Sequence, residues 1–195
     1  MNTQMKSKGT EKVVAVNHVN GVDLDILKGT IQAVADDAAL GKCLFRASNT
    51  WMGGAHNRTT VTGFYAARQE IPHKQEFTLD ADEPAMLAGG DEGANPVEHL
   101  LNALAACLTT SMVAHAAVRG IHIESLQSEL EGDLDLRGFF GLSNEVPKGY
   151  TDIRVRFKVR AAPEDMQLLE QLTAYSPVFN TITHGANVSV QVEAQ

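Results

Sequence analysis

The residues best suited to chemistry lie in one segment, Asn95-Pro96-Val97-Glu98-His99-Leu100-Leu101-Asn102-Ala103-Leu104-Ala105-Ala106-Cys107-Leu108. Cys107 sits within an uncharged run from His99 to Val118. A cysteine thiolate is a nucleophile toward peroxides and disulfides and is oxidised first to a sulfenic acid. A free cysteine on a buried helix is equally a small hydrophobe, and its helical neighbours Leu100, Ala103, Leu104, Thr110, Ser111 and Ala114 suit that role. Cys107 lies too far along the helix for the N-terminal dipole to help it. Reactivity therefore requires a nearby cation, and Arg58 and His115 are the candidates. Glu98 is the nearest acid on the segment. Nine residues at roughly 100° each place it about 180° around a straight helix from Cys107. Asn95, Pro96 and Glu98 also fit Ncap, N1 and N3 of a capping box, the reading favoured over catalysis. The seven histidines show no His-x-x-x-His spacing, so no metal is expected, and no other cofactor is implied.

These residues must be held by a fold, and composition bounds it. The chain has 195 residues and 44% hydrophobic content, enough for one core. Its net charge of -8 argues against nucleic acid or an anionic membrane as partner. Two cysteines make neither a disulfide framework nor a zinc knuckle. The start, Met1 to Thr10, is polar rather than a signal peptide, and a reducing cytoplasm is expected. The His99–Val118 run is long enough to raise a membrane question, but it is rich in alanine and holds Asn102, Thr109, Thr110, Ser111 and His115. It reads as a helix buried on nearly all sides, which in so small a chain requires a second copy.

Residues 1–12 read as a polar tail, and Asp23 to about Asp37 as an amphipathic helix with Leu24, Leu27, Ile31 and Val34 on one face. The period then changes to two. Strands are expected from Lys42, near Thr59–Ala67 and near Gln75–Asp80, with a turn at Gly53-Gly54. The long helix follows a Gly-rich loop and stops at Gly120. A strand from Ile121 and the alternating strand Thr151–Arg160 flank a loop over Gly138–Gly149. Pro163 begins a helix with Met166, Leu169, Leu172 and Tyr175, and Ser176 caps another. Val188, Val190 and Val192 read as a last strand. The fold class is α+β, divided into a tail with helical extension (1–41) and a main domain (42–195).

The string Pro96-x-Glu98-x-Leu100-Leu101-x-Ala103-Leu104-x-x-Cys107-Leu108 resembles the OsmC/Ohr family of osmotically inducible and organic hydroperoxide resistance proteins. Tyr175-Ser176-Pro177-Val178-Phe179-Asn180-Thr181 resembles its second motif, Cys-Pro-x-x-Asn. The resemblance implies an intertwined homodimer with antiparallel sheets wrapped around two long central helices, here with an extra N-terminal helix. It implies reduction of organic or lipid hydroperoxides in an oxidative-stress response, with an external thiol as reductant.

Position by position, Cys107 matches the family's peroxide-attacking cysteine. The second cysteine falls on Ser176, the family glutamate on Val97 and the family arginine on Ala55. Arg58, three residues on, and Glu98, in the Pro-x-Glu-Leu-Leu pattern of other OsmC-like branches, are the substitutes. The expected site is thus Cys107, Arg58 and Glu98, with Ser176, Val97 and Phe179 lining a pocket. Without a second cysteine the implied cycle uses Cys107 alone, and Cys43 reads as core rather than as a substitute. The competing expectation is a non-catalytic protein of this fold that binds an apolar small molecule at a dimer-interface pocket.

Overall fold

The computed structural model describes residues 17–194. The expected tail of residues 1–12 lies outside them. The described chain opens with a small hairpin, β1 (His18–Val19) and β2 (Val22–Asp23). Asn20 at its turn docks it to the main body. The Asn20 amide donates to the Ile121 carbonyl at 2.9 Å and accepts from the Ile123 N–H at 2.9 Å. Helix α1 (Leu24–Asp36) follows, capped by the Asp23 carboxylate, which accepts from the Asp25 and Ile26 amides at 3.0 Å. Only Leu24 of its apolar stripe is fully buried. A 3-10 turn, Ala38–Gly41, leads into the first sheet.

That sheet is the expected antiparallel meander. Strand β3 (Leu44–Phe45) and strand β4 (Ser48–Gly53) replace the single strand expected from Lys42. Both lie along one edge of the central strand β5 (His56–Ala66), β4 against its first half and β3 against its second. Strand β6 (Gln69–Ala81) covers the other edge, with a bulge at Val61–Gly63. It is longer than the expected Gln75–Asp80, because the turn at Ala67-Arg68 starts the pairing early, with Ala66 opposite Gln69. Both turn residues have positive φ, 48° and 62°. A tight two-residue hairpin needs that backbone, and a Cβ makes it costly. Ala67→Asn should therefore raise the free energy of unfolding by about 0.5–1 kcal/mol. Urea denaturation checks it, and an unchanged or lower midpoint counts against this account of the turn.

The long helix α2 (Pro96–Val118) then crosses the molecule. It ends where Gly120 adopts φ 73°, and the Ile121 N–H returns to the Ala116 carbonyl at 3.0 Å. The second sheet is a long hairpin of β7 (Ile123–Leu134) and β8 (Tyr150–Ala161), its loop carrying the short helix α3 (Leu136–Phe139). Ile153, Val155, Phe157 and Val159 of β8 turn inward as expected, while Arg154 and Lys158 pair outward with acids of β7. Helix α4 (Met166–Leu172) and helix α5 (Pro177–His184) complete the fold.

The buried core is Met112, Ala116, Ile121, Leu169 and Leu172, with Ile123, Leu126, Phe157 and Val159 packed around it. It joins the C-terminal half of α2 to the β7–β8 hairpin and α4. Among the described residues α2 is the one helix long and apolar enough to cross a membrane, yet it packs on β7, α4 and α5.

In the single chain helix α2 is covered in part: Leu104, Leu108, Met112, Ala116 and Ala117 are buried, while Ala103, Ala106 and Thr110 are exposed. One expectation needs correction: the last strand is absent among the described residues. Val188, Val190 and Val192 alternate as a strand would, but they are 84%, 83% and 94% exposed and meet no sheet edge. A strand is stable only with a neighbour to satisfy its backbone groups.

Candidate functional site

The site is built from the start of α2, the sheet end that feeds it, and the turn before α5. The Asn95 side chain accepts from the Glu98 N–H at 2.9 Å, and the Glu98 carboxylate accepts from the Asn95 N–H at 2.9 Å. This reciprocal box leaves Glu98 engaged in starting the helix. The Val97 carbonyl accepts from the Tyr150 hydroxyl at 3.1 Å, which ties α2 to β8. Burial, with Glu98 nearby, pushes the Tyr150 phenol above its ordinary range.

The loop before α2 is organised by Asp82, which is 2% exposed. Its carboxylate accepts from the Glu83, Gly90 and Glu92 amides at 2.8, 2.9 and 3.2 Å. Gly89 and Gly93 belong here for close packing, since a Cβ would lie 1.7 Å from the Glu83 carbonyl oxygen and 2.5 Å from that of Asp80. The backbone N–H of Glu83, then those of Glu92 and Gly90, hold the Asp82 carboxyl below the ordinary aspartate range against the opposing effect of burial. A carboxyl depressed on folding stabilises the native state above its unfolded pKa of about 4 and loses that effect as pH falls through the lower folded value. Asp82→Asn should thus unfold at lower temperature at pH 7, with the gap to wild type narrowing below about pH 4. Melting curves at pH 7, 5 and 3 measure this, and an equal gap at every pH would contradict it.

Asp80 is a second hub. Its carboxylate accepts from Arg58 Nε at 2.8 Å and Nη2 at 3.2 Å, and His56 Nε2 lies 3.1 Å away. The pairing holds the Asp80 carboxyl low and the Arg58 guanidinium high. The Asp80 carbonyl accepts from His99 Nε2 at 3.0 Å, joining β6 to α2. Arg58 is therefore committed to its cross-strand neighbour, and neither it nor Glu98 hydrogen-bonds the Cys107 thiol among the described residues.

Cys107 is a free, partly buried thiol between Leu104 and Leu108, both fully buried. Two turns on, His115 stacks on Tyr175 with ring centroids 4.1 Å apart, and its Nδ1 lies 3.3 Å from Arg119. Burial and the Arg119 charge lower its pKa, so His115 is not a ready cation for the thiol. Ser176, 0% exposed, caps α5 by accepting from the Phe179 N–H at 3.2 Å. The Asn180 side chain donates to the Ala174 and Ser176 carbonyls, both at 2.8 Å, which explains the asparagine of this motif as a clamp on the turn. From the Tyr175–His115 contact α5 runs back along α2, and its Ile182 and Thr183 share a cleft with Leu100. Cys107 lies on α2 between these two contacts.

The structure packs α5 on the helix that carries Cys107, with half-buried Phe179 beside the Ser176 cap. It assigns Arg58 to Asp80 and Glu98 to the cap. Cys43 is exposed on the segment before β3, not core. No group of three or more His, Cys, Asp or Glu side chains suits a metal among the described residues. Sequence reasoning missed Asp80, Asp82, Tyr150 and the His99 bond. The one signal was the Asp80-x-Asp82 pair entering a Gly-rich loop.

The comparisons agree with this architecture. The family description "OsmC-like protein" matches residues 89–191, which include α2, Cys107 and the Ser176-Pro177 turn. An OsmC-like protein from Mycoplasma pneumoniae superposes with TM-score 0.53 at 17% identity, over 71% of this chain and 86% of that one. A Psychrobacter arcticus protein described as osmotic stress induced and of the detoxification response gives TM-score 0.53 at 14% identity, over 69% and 85%. No curated protein matches. The shared fold and the match over more than half of the sequence place this chain in the OsmC-like protein family.

Proposed function

We propose that this protein is a thiol-dependent redox protein of the oxidative-stress response that reduces organic or lipid hydroperoxides through Cys107. The observation that carries the reading is a free, partly accessible cysteine on the long helix at the family's motif position, with the Ser176-capped α5 packed on the same helix. The Cys107 thiolate attacks the terminal peroxide oxygen, and the O–O bond breaks. The alkoxide takes a proton and leaves as the alcohol, while sulfur becomes a sulfenic acid. Ser176 cannot resolve it. One external thiol therefore displaces water to give a mixed disulfide, and a second releases Cys107 with formation of the reductant's disulfide. One hydroperoxide and two thiols become alcohol, water and disulfide. The working protein is a cytoplasmic homodimer in this reading. Arg58 acts as the peroxide-orienting cation only if the Asp80 pair opens, Glu98 acts through the helix start, and Val97 and Phe179 help wall the site.

The test is intact-mass analysis after brief exposure to cumene hydroperoxide with a sulfenic-acid trap present. One adduct, absent only in Cys107→Ser, supports the cycle. A loss of two mass units requiring both cysteines would replace it with Cys43 as resolving thiol. The second reading, a non-catalytic binding protein, is favoured by one observation: no cation hydrogen-bonds Cys107 among the described residues. No adduct, with native Cys107 also closed to thiol reagents, would select it.

A further inference from the structure

Three side chains join the C-terminal end of α2 to the turn that leads into α5. His115 stacks on Tyr175, the last residue of the 3-10 turn Thr173–Tyr175, with ring centroids 4.1 Å apart and 25° between the planes. Arg119, the C-cap of α2, folds back over the same stretch of helix. Its Nη1 donates to the His115 carbonyl at 3.0 Å and lies 3.3 Å from His115 Nδ1. Its guanidinium carbon stands 5.9 Å from the centre of the Tyr175 ring. The backbone N–H of Arg119 turns to Ala116 and Ala117, so the His115 carbonyl is an orphan acceptor of the helix end that the guanidinium satisfies. All of these contacts lie within one chain, and the cluster is complete without a second copy.

A guanidinium only donates, so Nδ1 of His115 meets it with a lone pair and the neutral ring carries its proton on Nε2. A proton on Nδ1 would set donor against donor, with positive charge on both sides of a 3.3 Å contact. Burial and the Arg119 charge both oppose that proton and hold His115 below the ordinary histidine range. Among the described residues no acid offsets them. The β7 acids pair with cations of β8, and Glu170 of α4 is exposed and forms no ion pair. His184 of α5 is exposed, with its Nδ1 3.1 Å from the Asn180 carbonyl. In the β1–β2 hairpin and α1, Asp23 is taken by the helix cap, while His18, Asp25 and Lys28 are exposed.

We propose that His115, Arg119 and Tyr175 form an acid-opened clasp between the end of α2 and the turn before α5, in which protonation of His115 expels Arg119 from both the helix end and the Tyr175 ring. An imidazolium can keep the ring, because one cation against an aromatic face is favourable. Two cations at that ring repel, and Arg119, exposed and on a long stem, is the one free to leave. Its departure uncaps the His115 carbonyl and leaves Tyr175 with one partner in place of two. Tyr175 directly precedes Ser176, whose hydroxyl caps α5, so the clasp acts on the turn that sets α5 against α2. The unfolded chain takes up this proton near about pH 6.5 and the folded chain only at lower pH. The stability that the clasp contributes is therefore full above about pH 6.5 and is lost as pH falls through the folded value. The clasp does not depend on the Cys107 reading.

One titration of the full chain follows all three side chains and needs no turnover. Long-range 1H–15N spectra of the histidine rings, 1H–15N signals of the arginine Nε groups and 1H–13C signals of the tyrosine rings are recorded from about pH 8 to about pH 4.5, a range that spans the ordinary histidine value. His115→Gln, Arg119→Met and Tyr175→Leu assign the signals. At the alkaline end His115 is expected as the Nε2–H tautomer. On acidification it is expected to titrate below the ordinary histidine range, with the Arg119 Nε and Tyr175 ring signals moving at the same midpoint. Arg119→Met, at an exposed position away from the core, is expected to shift the His115 midpoint upward. The proposal is overturned by an Nδ1–H tautomer at the alkaline end, by a midpoint at or above the ordinary histidine value, by Arg119 or Tyr175 signals that do not follow His115, or by an unmoved midpoint in Arg119→Met. Loss of hydroperoxide chemistry at Cys107 would leave these outcomes unchanged.

Discussion

Cys107→Ser is expected to reduce thiol-dependent consumption of cumene hydroperoxide by about 10³-fold or more, as removal of a covalent nucleophile does in other enzymes. Serine keeps the size and position of the side chain, so the packing of Leu104 and Leu108 around it should be retained. A hydroxyl at this site stays protonated at neutral pH and cannot take up the peroxide oxygen as sulfur does. Cys43→Ser is the control. Cys43 is exposed, with its thiol 3.7 Å from the Gly41 carbonyl oxygen, and its replacement should leave turnover within about twofold of wild type. Initial rates with a small dithiol as reductant, with circular dichroism to confirm folding, measure both. A Cys107→Ser protein that consumes peroxide as fast as wild type would remove the nucleophile from this reading. Equal losses in the two variants would show that both thiols are needed. The lack of a bonded cation at Cys107 among the described residues bears on rate rather than on identity: an unassisted thiol still attacks peroxides, but slowly at neutral pH.

What could be read in advance follows a physical division. The α2 start was legible because a capping box is local: Asn95, Pro96 and Glu98 carry their geometry in four consecutive residues. The Ser176-Pro177 cap and the alternating face of β8 were legible for the same reason. The roles of Arg58, Asp80 and His99 were not. They depend on the register of β5 against β6 and on where α2 crosses the sheet, contacts of 19 to 24 residues' separation. Asp82 was hidden differently. Its partners are backbone amides of Glu83, Gly90 and Glu92, and an amide has no residue identity to leave in a sequence. The absent last strand shows the limit of periodicity. The alternation of Val188, Val190 and Val192 is real, but a pattern names a strand without naming its neighbour.

That missing neighbour leads to the second large expectation: light scattering should give a particle of twice the 21.0 kDa chain mass, and Val190→Asp should weaken the dimer by about a hundredfold or more. The single chain leaves large apolar side chains in water, and a contiguous surface of that kind marks a site of association. Trp51 is 74% exposed and Phe45 73% on the first sheet, and α2 shows Ala103, Ala106 and Thr110, small side chains that allow close approach of another helix. Paired as a strand, the 187–193 segment would put three valines on one side and Ser189, Gln191 and Glu193 on the other, the pattern that half-covering by a second copy requires. Burying one valine is worth about 1.5–3 kcal/mol, and an unpaired carboxylate in its place costs about 3 kcal/mol or more. Ser189→Asp, on the alternate face, should change the dimerisation constant by about threefold at most. Two outcomes would refute the assignment. One is a 21.0 kDa particle at micromolar concentration. The other is equal weakening by the two aspartates, which would mean that charge alone, and not the face it occupies, controls association. A preference for one face would give the valine alternation its neighbour: a sheet edge supplied by a second copy of the chain.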